Sequence, residues 1–175
     1  MVYERICAAI DVQGFQLSKK SGYGRLERFR ARELAFVNDT TEKCLKVDPE
    51  IDFDNLHHVD KHTVRYTIVN VTGLELCPLL EFELKTSQLK TIIRTAYNLL
   101  ATEEKNYFGI CSSQLDDILT DMGIPHINMD GSALAKTPGF CANHLAMNSN
   151  RKIRCALRKA QSIWSTTQIV IAHST

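Results

Sequence analysis

Apolar positions come in short blocks early in the chain and at helical spacing later, and that change of period organises the reading. ICAAIDV (6–12) is an apolar run broken only by Asp11 and predicts a buried first strand. ARELAFV (31–37) predicts a second strand, and QLSKKSGYGRLERFR (16–30), with two glycines and several cations, an exposed connection or hairpin between them. The acidic stretch 47–62 reads as a long loop, and TVRYTIVNV (63–71), β-branched and alternating, as a strand. From about Phe82 the period lengthens: Leu89, Ile92, Ile93, Ala96, Leu99 and Leu100 predict an amphipathic helix. NYFGI (106–110) then reads as a strand and SSQLDDILTDMG (112–123) as a short helix, with serines for its N-cap and Gly123 for its stop. IPHINM (124–129) predicts a strand and DGSALAKTPGF (130–140) a polar loop. Ile153, Ala156, Leu157, Ala160, Ile163 and Trp164 line one face of a last helix. Strands first, then alternating helices and strands, predict one α/β domain over residues 1–175 with a mixed central sheet flanked by helices.

Composition narrows the class. A chain of 175 residues, 44% hydrophobic and 23% charged, buries a core without staples and matches ordinary globular proteins. The net charge of +1 supplies no global field toward nucleic acid or membrane, so any such affinity is local. Glu4, Arg5 and Asp11 interrupt what would be a secretory leader, and no apolar run approaches a membrane span. The expectation is an intracellular chain, complete from Met1 to its short polar tail, whose six cysteines are buried thiols or metal ligands.

Three patterns carry candidate chemistry. Asp11 closes the first strand with Gln13 two residues on, so both side chains share a face. A carboxylate pair in that position seats Mg²⁺ in many nucleases, but the second group here is a neutral amide. A lone acid leaving a strand is also a common turn former. In CANHLAMNSNRKIRCALRKA (141–160), Cys141, His144 and Cys155 are three ligands suited to zinc, with Cys141 and His144 close enough to hold one ion together. Cys155 reads equally as a small buried hydrophobe on the last helix, and Cys7, Cys44 and Cys77 as packing residues. Finally, Arg25, Arg28, Arg30 and Arg32 cluster near Tyr23 and Phe29, and Arg151, Lys152, Arg154, Arg158 and Lys159 crowd the last helix. Cations interleaved with aromatics suit single-stranded nucleic acid; a solvated hairpin and helix face is the plainer reading. His57, His58 and His62 read as exposed loop residues, and His126 as a satisfied strand residue.

The order IDVQGF, ELAFV, long helix, CSSQLDDIL and RCALRKA resembles the DnaQ-like 3′–5′ exonucleases of the ribonuclease H fold, over nearly the whole chain. The resemblance implies four catalytic acids and a histidine. Asp11 matches the first acid, Gln13 stands in place of the second, and Asp116, with Asp117 beside it, matches the third. On the last helix Arg154 replaces the histidine and Lys159 the final aspartate, which would put both cations in the former substrate cleft. Hydrolysis by two divalent ions about 4 Å apart needs dense negative charge, and a guanidinium cannot serve as a base. The implied state is a non-catalytic scaffold.

The chain is also similar in type to the Maelstrom domain, a DnaQ-like domain in which a Glu-Cys-His-Cys zinc set replaces the exonuclease acids, although no HMG box is present. This resemblance implies Glu33, Cys141, His144 and Cys155 as a closed structural zinc site, with Cys111 in reserve, and small-RNA silencing as a setting. The expected partner is single-stranded nucleic acid, RNA before DNA. An active ribonuclease using Asp11, Asp116 or Asp117, and a protein-interaction module using the acidic stretch around 49–60, are the alternatives.

Overall fold

The computed structural model describes residues 2–76, 81–134 and 154–174. Among the described residues six strands form one mixed sheet: β1 (Ile6–Gln16), β2 (Phe29–Val37), β3 (Glu42–Asp48), β4 (Leu84–Lys85), β5 (Tyr107–Ile110) and β6 (His126–Asn128). Their order across the sheet is β4-β3-β2-β1-β5-β6. The β1–β2 and β2–β3 pairs are antiparallel, whereas β5 lies parallel to β1 and β6 parallel to β5. The helices are α1 (His58–Thr67), α2 (Leu89–Leu100), α3 (Ser113–Met122) and α4 (Ala156–Ala172).

Helices cover both faces, which is why β1 is buried almost from end to end. On one face Ile10, Val12, Leu34 and Phe36 pack against Leu89 and Ile93 of α2 and Leu115, Ile118 and Leu119 of α3. On the other, Ile6, Ala9, Ala35 and Val37 meet Ala156, Ala160 and Ile163 of α4. Farther along that second face, Phe15 and Leu17 pack on Val64 of α1.

Most expected elements are present; two are not as predicted. Residues 63–71 are helical, with α1 running to Thr67 and a π-helical turn over Ile68–Thr72. Tertiary burial overrides β propensity here. Asp60, Val64 and Thr67 recur at helical spacing on the buried side, and the left-handed Gly73 ends the segment. The loop expected through His62 therefore stops at His57, whose Nδ1 accepts from Val59 N and caps α1. Asp60, buried in its first turn, accepts from Ser18 N at 2.8 Å and from the Ser18 and Ser21 hydroxyls, fixing the end of the β1 hairpin to α1. The second difference is β3, which carries too many charges to stand out as a strand. The turn that joins it to β2 is held by Asn38, whose Oδ1 accepts from the backbone of Thr40 and Thr41. The long helix starts at Leu89, later than Phe82, and Leu99 at its end is 79% exposed.

The β1–β2 ladder contains a bulge that matters for the site. Gln13 pairs with Glu33, but Gly14 pairs with Ala31, leaving Arg32 as the extra residue. A Cβ at Gly14 would overlap Arg30 O and stand 2.9 Å from Ala31 Cα, so the close approach of the strands requires glycine. At Gly24 the obstacle is only the free end of the Glu27 side chain. Gly14→Ala is expected to cost about 1–3 kcal/mol in urea denaturation, and Gly24→Ala less than about 0.5 kcal/mol. Equal losses would contradict the bulge geometry.

Candidate functional site

Before the bulge, Asp11, Gln13 and Glu33 point to the α4 side of the sheet. Glu33 is 2% exposed and is engaged at both oxygens: Oε1 accepts from Ala156 N at 2.6 Å and Oε2 from the Cys44 thiol at 3.8 Å. Cys155 holds the N-cap position of α4 without a side-chain cap bond, so a strand carboxylate supplies what the cap residue does not. Its negative charge also lies at the positive end of the helix. Cys44, expected as simple packing, is thus a neighbour of Glu33, whereas Cys7 is buried in the core as expected.

This anchor sets the first turn of α4, and with it Lys159. The Lys159 ammonium acts on two groups, the Asp11 carboxyl and the Cys111 thiol. Asp11 is fully buried. Its Oδ2 accepts from Gln13 Nε2 at 2.7 Å, while its Oδ1 has no hydrogen-bond partner among the described residues. Burial pushes its pKa up to about 7; the Gln13 bond and Lys159 oppose the rise, and the Glu33 charge adds to it. Burial likewise raises the Cys111 thiol, with Lys159 opposing and Asp11 and Asp130 adding.

The exonuclease resemblance implied Lys159 near Asp11; the structure gives Lys159 as one of the charges that oppose the rise in the Asp11 pKa. Other expectations need correction. Asp116 turns to β6, its Oδ1 lying 2.6 Å from His126 Nε2, while His126 Nδ1 meets Ile124 O at 2.8 Å. His126 is therefore the satisfied strand residue expected. Arg154 is not on the last helix: it precedes the Cys155 cap, is exposed, and donates its backbone N–H to Val71 O at 2.7 Å. The arginine cluster near β2 also divides. Arg32 is buried, bonded to Glu75 O and stacked on Phe82. The Arg30 guanidinium donates to the carbonyls of Pro49, Glu50 and Glu27 and lies over Tyr23, so it braces the hairpin. Arg158 is on α4 and partly buried. Arg25 and Arg28 remain, and both line a groove between the hairpin and the start of α3.

Cys77, Cys141, His144, Arg151 and Lys152 lie outside the described residues. Among the described residues, no three His, Cys, Asp or Glu side chains are disposed to share a metal ion. Glu33 and Cys155 nevertheless converge, since Glu33 binds the amide that follows Cys155. Among the described residues no helix is long and apolar enough to cross a membrane. Compared with known proteins, the chain matches no family model, no curated protein and no solved structure.

The Asp11 environment has a pH consequence. Below about pH 4 the carboxyl is protonated in both folded and unfolded chains. As pH rises toward 7 the folded state keeps a proton that the unfolded state releases, so this contribution to stability is lost through that window. Asp11→Asn removes the effect. Relative to wild type, its urea stability should rise by on the order of a few kcal/mol between about pH 5 and pH 8. A constant difference across that range would contradict the burial of an ionisable group at Asp11.

Proposed function

We propose that this chain is a non-catalytic domain that binds single-stranded nucleic acid, RNA before DNA, on a ribonuclease H-like scaffold of the DnaQ type. The observation that carries this reading is the fully buried Asp11 whose strand partner is the neutral Gln13, where a metal site needs a second acid. Two divalent ions need clustered carboxylates. Here Asp11 is bonded to an amide, Glu33 is spent on the first amide of α4, and Asp116 is committed to His126. The sheet order, with β2 antiparallel and β5 and β6 parallel to β1, supports the scaffold assignment.

Zinc is the cofactor of this reading, held by Glu33, Cys141, His144 and Cys155. The meeting of Glu33 with the start of α4 beside Cys155 supports it. Four ligands leave no open position, so the ion would clamp structure without activating water. On the α3 side of the sheet, Arg25 and Arg28 offer phosphate contacts; Arg151, Lys152 and Arg158 are the further basic residues of this reading.

Filter binding with single-stranded RNA at about 50 and 200 mM salt should show affinity falling steeply with salt, and Arg25→Ala/Arg28→Ala should flatten the slope by about 2. Absence of binding at the lower salt would overturn the reading. With Mg²⁺, wild type and Asp11→Ala should leave labelled RNA equally intact; cleavage lost in Asp11→Ala would instead establish a ribonuclease. Elemental analysis should find about one zinc per chain, lost in Cys141→Ser.

A further inference from the structure

The groove beside Arg25 and Arg28 lies on the opposite side of the sheet from Asp11. After the bulge, Gln16 and Phe29 pair with each other and Phe29 packs with the α2–α3 core, so this end of the hairpin faces α3. The space measures about 290 Å³ and is walled by Gln16, Arg25, Arg28 and Phe29 from the hairpin and by Ser113, Gln114 and Asp117 from α3. That volume falls at the lower end of small-ligand sites, room for one nucleotide unit and not for a run of bases.

We propose that this groove is a pocket for a single phosphate-bearing nucleotide unit, its phosphate between Arg25 and Arg28 and its base against Phe29. The proposal rests on the nucleic-acid reading above and gives it a location. Arg28 is held at the wall by its Nε bond to Tyr23 O at 3.2 Å. Arg25 reaches across the mouth to Asp117, 3.4 Å away, and both side chains are exposed, at 78% and 50%. Exposed ion pairs of that length are weak, so a phosphate with its greater charge displaces Asp117 from Arg25. Ser112 caps α3 through Leu115 N, and the first intrahelical bond runs from Asp116 N to Ser112 O. The N–H groups of Ser113 and Gln114 precede that bond and have no acceptor within the helix, which adds donors on the phosphate side. The half-buried Phe29 supplies a stacking surface that accepts any base. Gln16 and, once released, Asp117 are positioned for a base edge.

Asp117 gives the sharpest test, because it is exposed and its loss leaves the core untouched. Titration calorimetry of the full chain would use adenosine 5′-monophosphate, adenosine and inorganic phosphate as probes. The monophosphate should bind about tenfold or more tightly than either fragment. Asp117→Asn should strengthen its binding severalfold by freeing Arg25, and Arg28→Ala should weaken it by about tenfold. Equal affinity for the monophosphate and inorganic phosphate, or no change in Asp117→Asn, would overturn the pocket. Single-stranded RNA that binds wild type and Arg28→Ala alike would overturn the pocket and leave the nucleic-acid reading standing. Monophosphate binding without RNA binding would do the reverse.

Discussion

The arrangement depends on one buried carboxylate. Glu33 comes from the middle of the sheet and receives the first amide of α4, so the helix is docked by its N-terminus as well as by its apolar face. A buried charge is costly unless hydrogen-bonded. Glu33 meets that condition with an amide on one oxygen and a thiol on the other. The same contact docks the first turn of α4, the helix that carries Lys159. Without it, Ala156, Ala160 and Ile163 would still pack, but small side chains give little angular preference.

Asp11 and Glu33 share a sheet face yet occupy opposite conditions. Glu33 is satisfied at both oxygens, whereas among the described residues Asp11 retains one oxygen without a partner, and burial pushes its pKa up to about 7. Residues that break the rule of paired buried polar groups mark places where sequence and fold disagree. The Lys159 charge opposes the rise in the Asp11 pKa that burial causes, and the Glu33 charge adds to it. The bulge at Gly14 then separates that centre from the arginine-lined groove, because it changes which residues of the hairpin face α3.

Much of the fold was legible in local pattern. The unbroken apolar run around Ala8–Ile10, the helical recurrence of Leu89 and Ile93, and the Ser112 to Gly123 cap pair all became the elements their periodicity implied. The failures share a cause. Residues 63–71 have the composition of a strand, and only the buried partners Phe15 and Leu56 make Val64 and Thr67 a helical face. β3 has strand geometry without strand composition, because it gains its hydrogen bonds from β2 and exposes much of its surface. At the site, the clustering of arginines was legible, but local pattern could not see that Arg30 and Arg32 would be spent on backbone carbonyls and aromatic rings.

By itself, then, the sequence determined the kinds of elements with strong periods, their order, and the chemical inventory: one strand acid followed by an amide, cations clustered at the last helix, thiols near a histidine. Those are properties of neighbours along the chain. Tertiary structure decided which charges meet, which arginines remain available, and that Glu33 caps a helix more than a hundred residues away. Such partnerships depend on burial and on the relative placement of distant segments, and no local period encodes either.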